Sequence, residues 1–159
     1  MTAYIPERVS LYGNLTGLEN LAYFSELAGK RLERGVLLEM LQKAGLSGSF
    51  VDQRVSTYSK GMRQKVAIAA AMARDAKVML LDEPMSGLDP AAAGELTAML
   101  LELKERGVAM LMATHDIFRA REIGTHVGIM KSGRLQAKID PAAISATDLE
   151  SIYMEHMHD

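Results

Sequence analysis

The sequence predicts an α/β fold: a parallel β-sheet flanked by helices and preceded by a small all-α segment. Three observations predict it. Helical apolar spacing dominates the first third of the chain. From Asp75 onward, short continuous apolar runs alternate with helical patterns, which is the pattern of strands joined by crossover helices. The chain has 159 residues, of which 48% are hydrophobic and 24% charged. That is about one domain of ordinary globular composition and excludes a disordered chain.

Charge and composition exclude several function classes. Net charge is −2, which argues against a protein that wraps a nucleic-acid backbone. There are no cysteines, so disulfides, thiolate zinc sites and cysteine nucleophiles are excluded. The longest apolar run, Val66 to Ala73, has eight residues, against the ~18–20 needed to span a bilayer. Glu7 and Arg8 stand where a signal peptide needs an apolar stretch. The expectation is a soluble chain, cytoplasmic, that reaches a membrane only through a partner. The twelve methionines are expected to be flexible core filler.

Taken in order, Met1 to Gly17 reads as short strand and loop, punctuated by Pro6, Gly13 and Asn14. Thr16 is a candidate cap for a helix from Leu18 to Ala28, with Leu18, Leu21, Ala22 and Leu27 on one stripe. A second helix, Leu32 to Ala44, is stopped by Gly45. A polar stretch from Ser47 to Tyr58 leads to a third helix, from Ser59 to Arg74. Val78 to Leu81 reads as a strand buried on both faces. Asp89 and Pro90 open a helix that runs to Arg106, with the acid as cap and proline in the first turn. Val108 to Ala113 reads as a second buried strand, and Asp116 to Ile123 as a helix. Two strands, Val127 to Lys131 and Arg134 to Ile139, are joined by Ser132-Gly133. Thr147 and Glu150 match a capping box for a last short helix. Of the final residues, Glu155, His156, His158 and Asp159 carry metal-ligand chemistry, but an exposed, frayed terminus is the expectation.

The chemistry concentrates at Asp82-Glu83. An apolar strand delivers two adjacent carboxylates to its C-terminal end, where open α/β sheets bind ligands. Asp82 can hold the water shell of a Mg²⁺ ion while Glu83 accepts a proton from an attacking water. Alone, such a pair is an ordinary acidic turn; its surroundings change that. Ser86-Gly87-Leu88-Asp89 follows it, and the next strand ends in Thr114-His115-Asp116. Upstream, Tyr58-Ser59-Lys60-Gly61-Met62 opens a helix whose N-terminus, with Lys60, suits a phosphate.

In this order the sequence resembles the ATP-binding subunit of ABC transporters: signature loop, Walker B strand with a glutamate, D-loop and switch histidine. Ser59 precedes Asp82 by 23 residues, and Asp82 precedes His115 by 33. The family's usual signature is Leu-Ser-Gly-Gly-Gln; the variant here looks like those of exporters. Ile5-Pro6-Glu7 to Glu19-Asn20-Leu21 is similar to the Q-loop and the approach to the helical subdomain. The Q-loop Gln position carries Glu7, and a carboxylate repels phosphate where an amide does not. The resemblance implies a P-loop NTPase-like (RecA-type) sheet, with residues 1–17 as Q-loop region, 18–74 as helical subdomain with signature, and 75–159 as the remaining α/β part. It implies ATP and Mg²⁺ as cofactors. Glu83 would polarise the attacking water, Asp82 would support Mg²⁺ and His115 would contact the γ-phosphate. Ser59, Lys60, Gly61 and Met62 would face the ATP of a second ABC ATPase subunit in a dimer, and Asp89 would bridge to it. An integral membrane permease would be the other partner, placing the chain on the inner face of the membrane, with no nucleic acid involved.

One motif is absent from these residues. A P-loop reads G-x-x-x-x-G-K-[S/T], with backbone amides and a Lys around the phosphates. The one Gly-Lys pair, Gly29-Lys30, is followed by Arg31, and Phe24 stands where the first Gly belongs. The aromatic residue that stacks on adenine in the family is missing too. The expectation is an incomplete domain, resembling the C-terminal two-thirds of its family: a fragment, a truncated product or half of a split domain. Its reading is an ATP-hydrolysing export subunit or a non-catalytic remnant that donates its signature to another subunit. Chromosome-maintenance and DNA-repair ATPases share these motifs but carry a long coiled coil before the signature. Here 51 residues separate Glu7 from Ser59, and they read as two short helices. Translation-factor relatives would call for a basic surface that this chain lacks.

Overall fold

The computed structural model describes residues 1–46 and 48–157, so Ser47, His158 and Asp159 lie outside the described residues. The chain forms two compact units, Met1–Ala113 and Thr114–Asp159.

In the first unit, strand β1 (Thr2–Ile5) leads through a loop to helices α1 (Gly17–Leu27) and α2 (Arg34–Lys43). A 3-10 turn (Val55–Thr57) precedes α3 (Lys60–Ala73). Strand β2 (Val78–Asp82), helix α4 (Pro90–Glu105) and strand β3 (Ala109–Ala113) complete the unit. The three strands form a parallel sheet in the order β1-β2-β3, with Tyr4 opposite Leu80 and Asp82 opposite Ala113. Helix α3 packs on α1, α2, β1 and α4. Its Val66, Ile68, Ala69 and Ala71 are buried with Leu21 of α1 and Leu41 of α2; each buried valine, isoleucine or leucine contributes about 1.5–3 kcal/mol.

The caps follow from the sequence. Thr16 and Glu19 form a full capping box, with Glu19 N donating to Thr16 Oγ1 at 3.1 Å and Thr16 N to Glu19 Oε2 at 2.8 Å. Ser59, Asp89 and Asp116 each accept from the third residue of their helix. The segment before α1 is laced to the 3-10 turn by Val55 N to Leu15 O (2.9 Å) and Ser56 N to Gly13 O (3.0 Å).

The second unit holds α5 (Ile117–Ile123), β4 (Val127–Lys131), β5 (Arg134–Ile139) and α6 (Ala146–Met157). β4 and β5 form a separate antiparallel pair. The turn residues Ser132 and Gly133 have φ of 50° and 76°, which matches the twist of a two-residue hairpin. α6 packs on β4 and α5, burying Leu149, Ile129 and Ile123.

Four expectations are corrected. The strands at Val78 and Val108 are not buried on both faces: β2 alternates between buried and part-exposed residues, and β3 is nowhere buried, with Leu111 71% exposed. β3 pairs with β2 alone, so its outer edge carries backbone groups without a strand partner among the described residues. The last helix is capped not by Thr147 and Glu150 but by Ser145 and Asp148, which exchange backbone bonds of 3.1 Å each. The Ser145 hydroxyl, donating to Asp148 Oδ2 at 2.6 Å, and then the Ser145 amide lower the Asp148 carboxyl from its ordinary value. The helix then runs through Glu155 and His156, so these two residues are not frayed. Of the methionines, Met79 and Met99 are core residues, whereas Met1, Met130, Met154 and Met157 are exposed. Among the described residues, no helix is long and apolar enough to cross a membrane.

Candidate functional site

The central strand of the parallel sheet, β2, ends at Asp82 because the chain turns sharply there. Glu83 has φ of 44°, in the left-handed region that non-glycine residues occupy at a cost of order 1–3 kcal/mol. Its amide still closes the sheet by donating to Ala113 O at 2.9 Å. The strand end therefore holds Asp82 in the sheet and places Glu83 at the turn that follows it. Asp82 Oδ2 accepts from Tyr4 Oη at 3.2 Å across the β1–β2 pair. Partial desolvation, then the Asp82 charge and hydrogen bond, push the Tyr4 phenol up from its ordinary value. Sequence reasoning missed Tyr4; the signal was its place on an adjacent strand, which needs the register to be seen.

The loop after Glu83 is held by its own backbone, Ser86 N to Glu83 O and Leu88 N to Met85 O, both 3.1 Å. It delivers Asp89 as the cap of α4, accepting from Ala92 N at 3.0 Å. The start of α3 lies against this loop: a Cβ built on Gly61 would stand 3.5 Å from Ala92 Cβ and 3.6 Å from Leu88 Cδ2. Tyr58, in the family's leucine position, is buried, and its hydroxyl donates to Phe50 O at 2.6 Å.

Two expectations for the anion site change. Ser59 Oγ accepts from Met62 N at 3.2 Å, so one amide at the helix start is already satisfied. Lys60 is not a free charge for phosphate: its Nζ donates to Glu7 Oε1 at 3.2 Å. The same Glu7 oxygen accepts from Ser86 Oγ at 3.1 Å. The Lys60 hydrogen bond, then Ser86, hold the Glu7 carboxyl below its ordinary range. Gln64, 1% exposed, donates to Glu7 O and Pro6 O at 3.3 and 3.4 Å. The structure thus brings together Glu7, Lys60 and Ser86, of which Ser86 was not among the expected site residues. His115 follows β3 by two residues and lies exposed in the second unit.

The lowered Glu7 carboxyl makes a pH prediction. A group with a depressed folded pKa contributes stability above its unfolded pKa, about 4 for carboxylates, and loses it as pH falls through the folded value. Denaturation midpoints of wild type and Glu7→Gln should therefore differ at neutral pH and converge in acid. Parallel curves would contradict the ion pair.

The donor set at Asp82 suits Mg²⁺, a hard cation held by one or two carboxylate oxygens with water and phosphate making up the rest. Among the described residues no group of three or more His, Asp or Glu side chains gathers into an all-protein metal cage, at the α6 end or elsewhere.

Comparison with known proteins bears on this arrangement. Residues 1–86 match the ABC transporter family. The chain is 35% identical over 149 residues to an uncharacterized ABC transporter ATP-binding protein, YdbJ, of Bacillus subtilis, covering 93% of this chain and 48% of that protein. It is 34% identical over 134 residues to a fluoroquinolones export ATP-binding protein of Mycobacterium tuberculosis, covering 84% and 43%. The fold matches the dimeric post-hydrolysis structure of the ATP-binding cassette MJ0796 bound to ADP and Pi. The TM-score is 0.77 at 28% identity, over 88% of this chain and 62% of that one. The chain spans about half the length of these two relatives. Because residues 1–86, more than half of the chain, match this family, the chain belongs to the ABC transporter family.

Proposed function

We propose that this chain is the signature, Walker B and switch part of an ATP-binding subunit that drives export through an ABC transporter. The observation that carries the reading is the Asp82-Glu83 pair at the C-terminal end of the central parallel strand, where open α/β sheets bind ligands. In this reading Glu83 accepts the proton of the attacking water, a role worth about 10²–10⁴-fold in rate. Asp82, oriented by the Tyr4 hydroxyl, holds the water shell of Mg²⁺, which would neutralise charge building on the phosphate oxygens. His115 contacts the γ-phosphate. Ser59, Lys60, Gly61 and Met62 present the start of α3 to the nucleotide of a second ABC ATPase subunit, and Asp89 bridges to that subunit. Glu7 joins this constellation through Lys60. The membrane link is an integral permease on whose cytoplasmic side the subunit rests.

A second reading, that of a signature donor without turnover, is favoured by the start of α3, where Ser59 caps the helix and Gly61 lies against the 88–92 segment. Positioning multiplies a general base only when a phosphate is held in place. Calorimetry with ATP·Mg separates the two. These 159 residues, which hold no G-x-x-x-x-G-K-[S/T] stretch, should bind weakly, and a low-micromolar dissociation constant would contradict the need for such a stretch. Joined to a P-loop-bearing segment it should bind and hydrolyse ATP. Binding without hydrolysis would favour the donor reading.

A further inference from the structure

Glu7 joins segments that lie far apart in sequence. Its carboxylate takes hydrogen bonds from Lys60, 53 residues on, and from Ser86, 79 residues on. Lys60 is the first residue of α3, directly after its cap Ser59. Ser86 lies three residues before Asp89, the cap of α4. The first turn of α3 and the 88–92 segment are close enough for ordinary van der Waals contact at Gly61. The backbone under Glu7 is fastened as well, since the buried Gln64 amide of α3 donates to its carbonyl. A charged acceptor strengthens both side-chain bonds at once, which the neutral amide usual at this position of the family would not do.

We infer that Glu7 is a positioning residue: its carboxylate clasps the start of α3 to the 83–89 loop, holding Ser59 and Asp89 in one mutual geometry and pairing the Lys60 charge. The value of that geometry for a second subunit's nucleotide rests on the proposed function; the clasp does not.

The test is amide hydrogen exchange by NMR on this chain without nucleotide, so its failure and the failure of the ATPase reading are distinct. The reporters on α3 are the amides of Met62 and Arg63, bonded to Ser59 Oγ and Ser59 O. Those on the loop are Ser86 and Leu88, bonded to Glu83 O and Met85 O. Glu7→Gln should raise exchange at both sets by about fivefold, the scale of a partly exposed ion pair, and leave the β2 amides unchanged. Ser86→Ala should raise exchange at Met62 and Arg63, on an element it does not belong to. The exchanged pair Glu7→Lys with Lys60→Glu should restore protection, which a loss of mere bulk would not. Unchanged reporters, a rise shared equally by β2, or an exchanged pair no better than Glu7→Gln would each overturn the clasp. If Glu7→Gln does not fold, Ser86→Ala decides alone: wild-type protection at Met62 and Arg63 overturns the inference.

Discussion

Gly17→Ala should destabilise the first unit by about 2–3 kcal/mol, enough to lower the melting temperature of a chain this size by roughly 5–10 °C. Gly17 is the first residue of α1, where alanine would ordinarily be the better helix former. The tertiary contact reverses that preference. A Cβ at position 17 would lie 2.3 Å from Tyr58 Oη, 3.2 Å from Tyr58 Cζ and 3.3 Å from Leu46 Cδ2. Tyr58 cannot swing aside cheaply, because the residue is 5% exposed and its hydroxyl is committed to Phe50 O. Displacing it costs overpacking strain, about 1–3 kcal/mol, together with a hydrogen bond worth about 1 kcal/mol net. Gly94→Ala in α4 supplies the contrast: a Cβ there meets nothing within 4 Å, so the gain in helix propensity, up to about 1 kcal/mol, should appear undiminished. A urea denaturation series on both variants checks this. Gly17→Ala in a Tyr58→Phe background should cost less than in wild type, since the nearest clashing atom is gone. Equal costs in both backgrounds would show that Tyr58 is not what forbids the side chain.

That contact explains a departure from the family pattern that the sequence displayed without explaining. Tyrosine in the leucine position of the signature is accommodated because Gly17 leaves room for its hydroxyl and Phe50 offers a carbonyl. Gly17 and Tyr58 are 41 positions apart in sequence, and no local rule connects them. What local rules do govern was readable. Thr16, Ser59, Asp89 and Asp116 all cap the helices that follow them, because a short oxygen-bearing side chain before an apolar-periodic run satisfies free amides wherever it occurs. The last helix shows where such a rule becomes ambiguous. Ser145-x-x-Asp148 and Thr147-x-x-Glu150 overlap, and the second fits the usual Ser/Thr-x-x-Glu form better. The structure uses the first, and Leu149 is 1% exposed on the resulting helix.

Burial was less legible than helix placement. A continuous apolar run such as Ala109 to Ala113 is equally consistent with a sheet interior and with an edge, because the sequence of a strand does not say how many neighbours pair with it. Here β3 has one. The candidate site divides the same way. Asp82, Glu83 and Asp89 were readable because strand end, turn and cap are consecutive. Tyr4 on Asp82 and Glu7 on Lys60 and Ser86 were not, because each depends on the parallel register or on the meeting of loops that only tertiary packing creates.

Joined to a P-loop-bearing segment by fusion or co-expression, Glu83→Gln should bind ATP and still dimerise but lose turnover by about 10²–10⁴-fold, the range of a general base. The substitution keeps size and hydrogen-bonding reach and removes only the basic oxygen. It also keeps the same backbone demand at φ 44°, so the loss cannot be blamed on a changed turn; Glu83→Gly, by contrast, would relax the turn and confuse the comparison. Ser59→Arg should fail differently. Ser59 is exposed at the start of α3 and its Oγ accepts from Met62 N. Arginine there would lose a cap, costing about 1 kcal/mol, and would place bulk at the helix end proposed to face the partner's γ-phosphate. Size-exclusion chromatography with ATP separates the two variants, Glu83→Gln running as a dimer and Ser59→Arg as a monomer. Phosphate release, measured in parallel, should be negligible for both. Full turnover by Glu83→Gln would remove Glu83 from the chemistry and leave the signature-donor reading as the better account of the chain. A dimeric Ser59→Arg would instead remove the start of α3 from the interface, while leaving the base assignment intact.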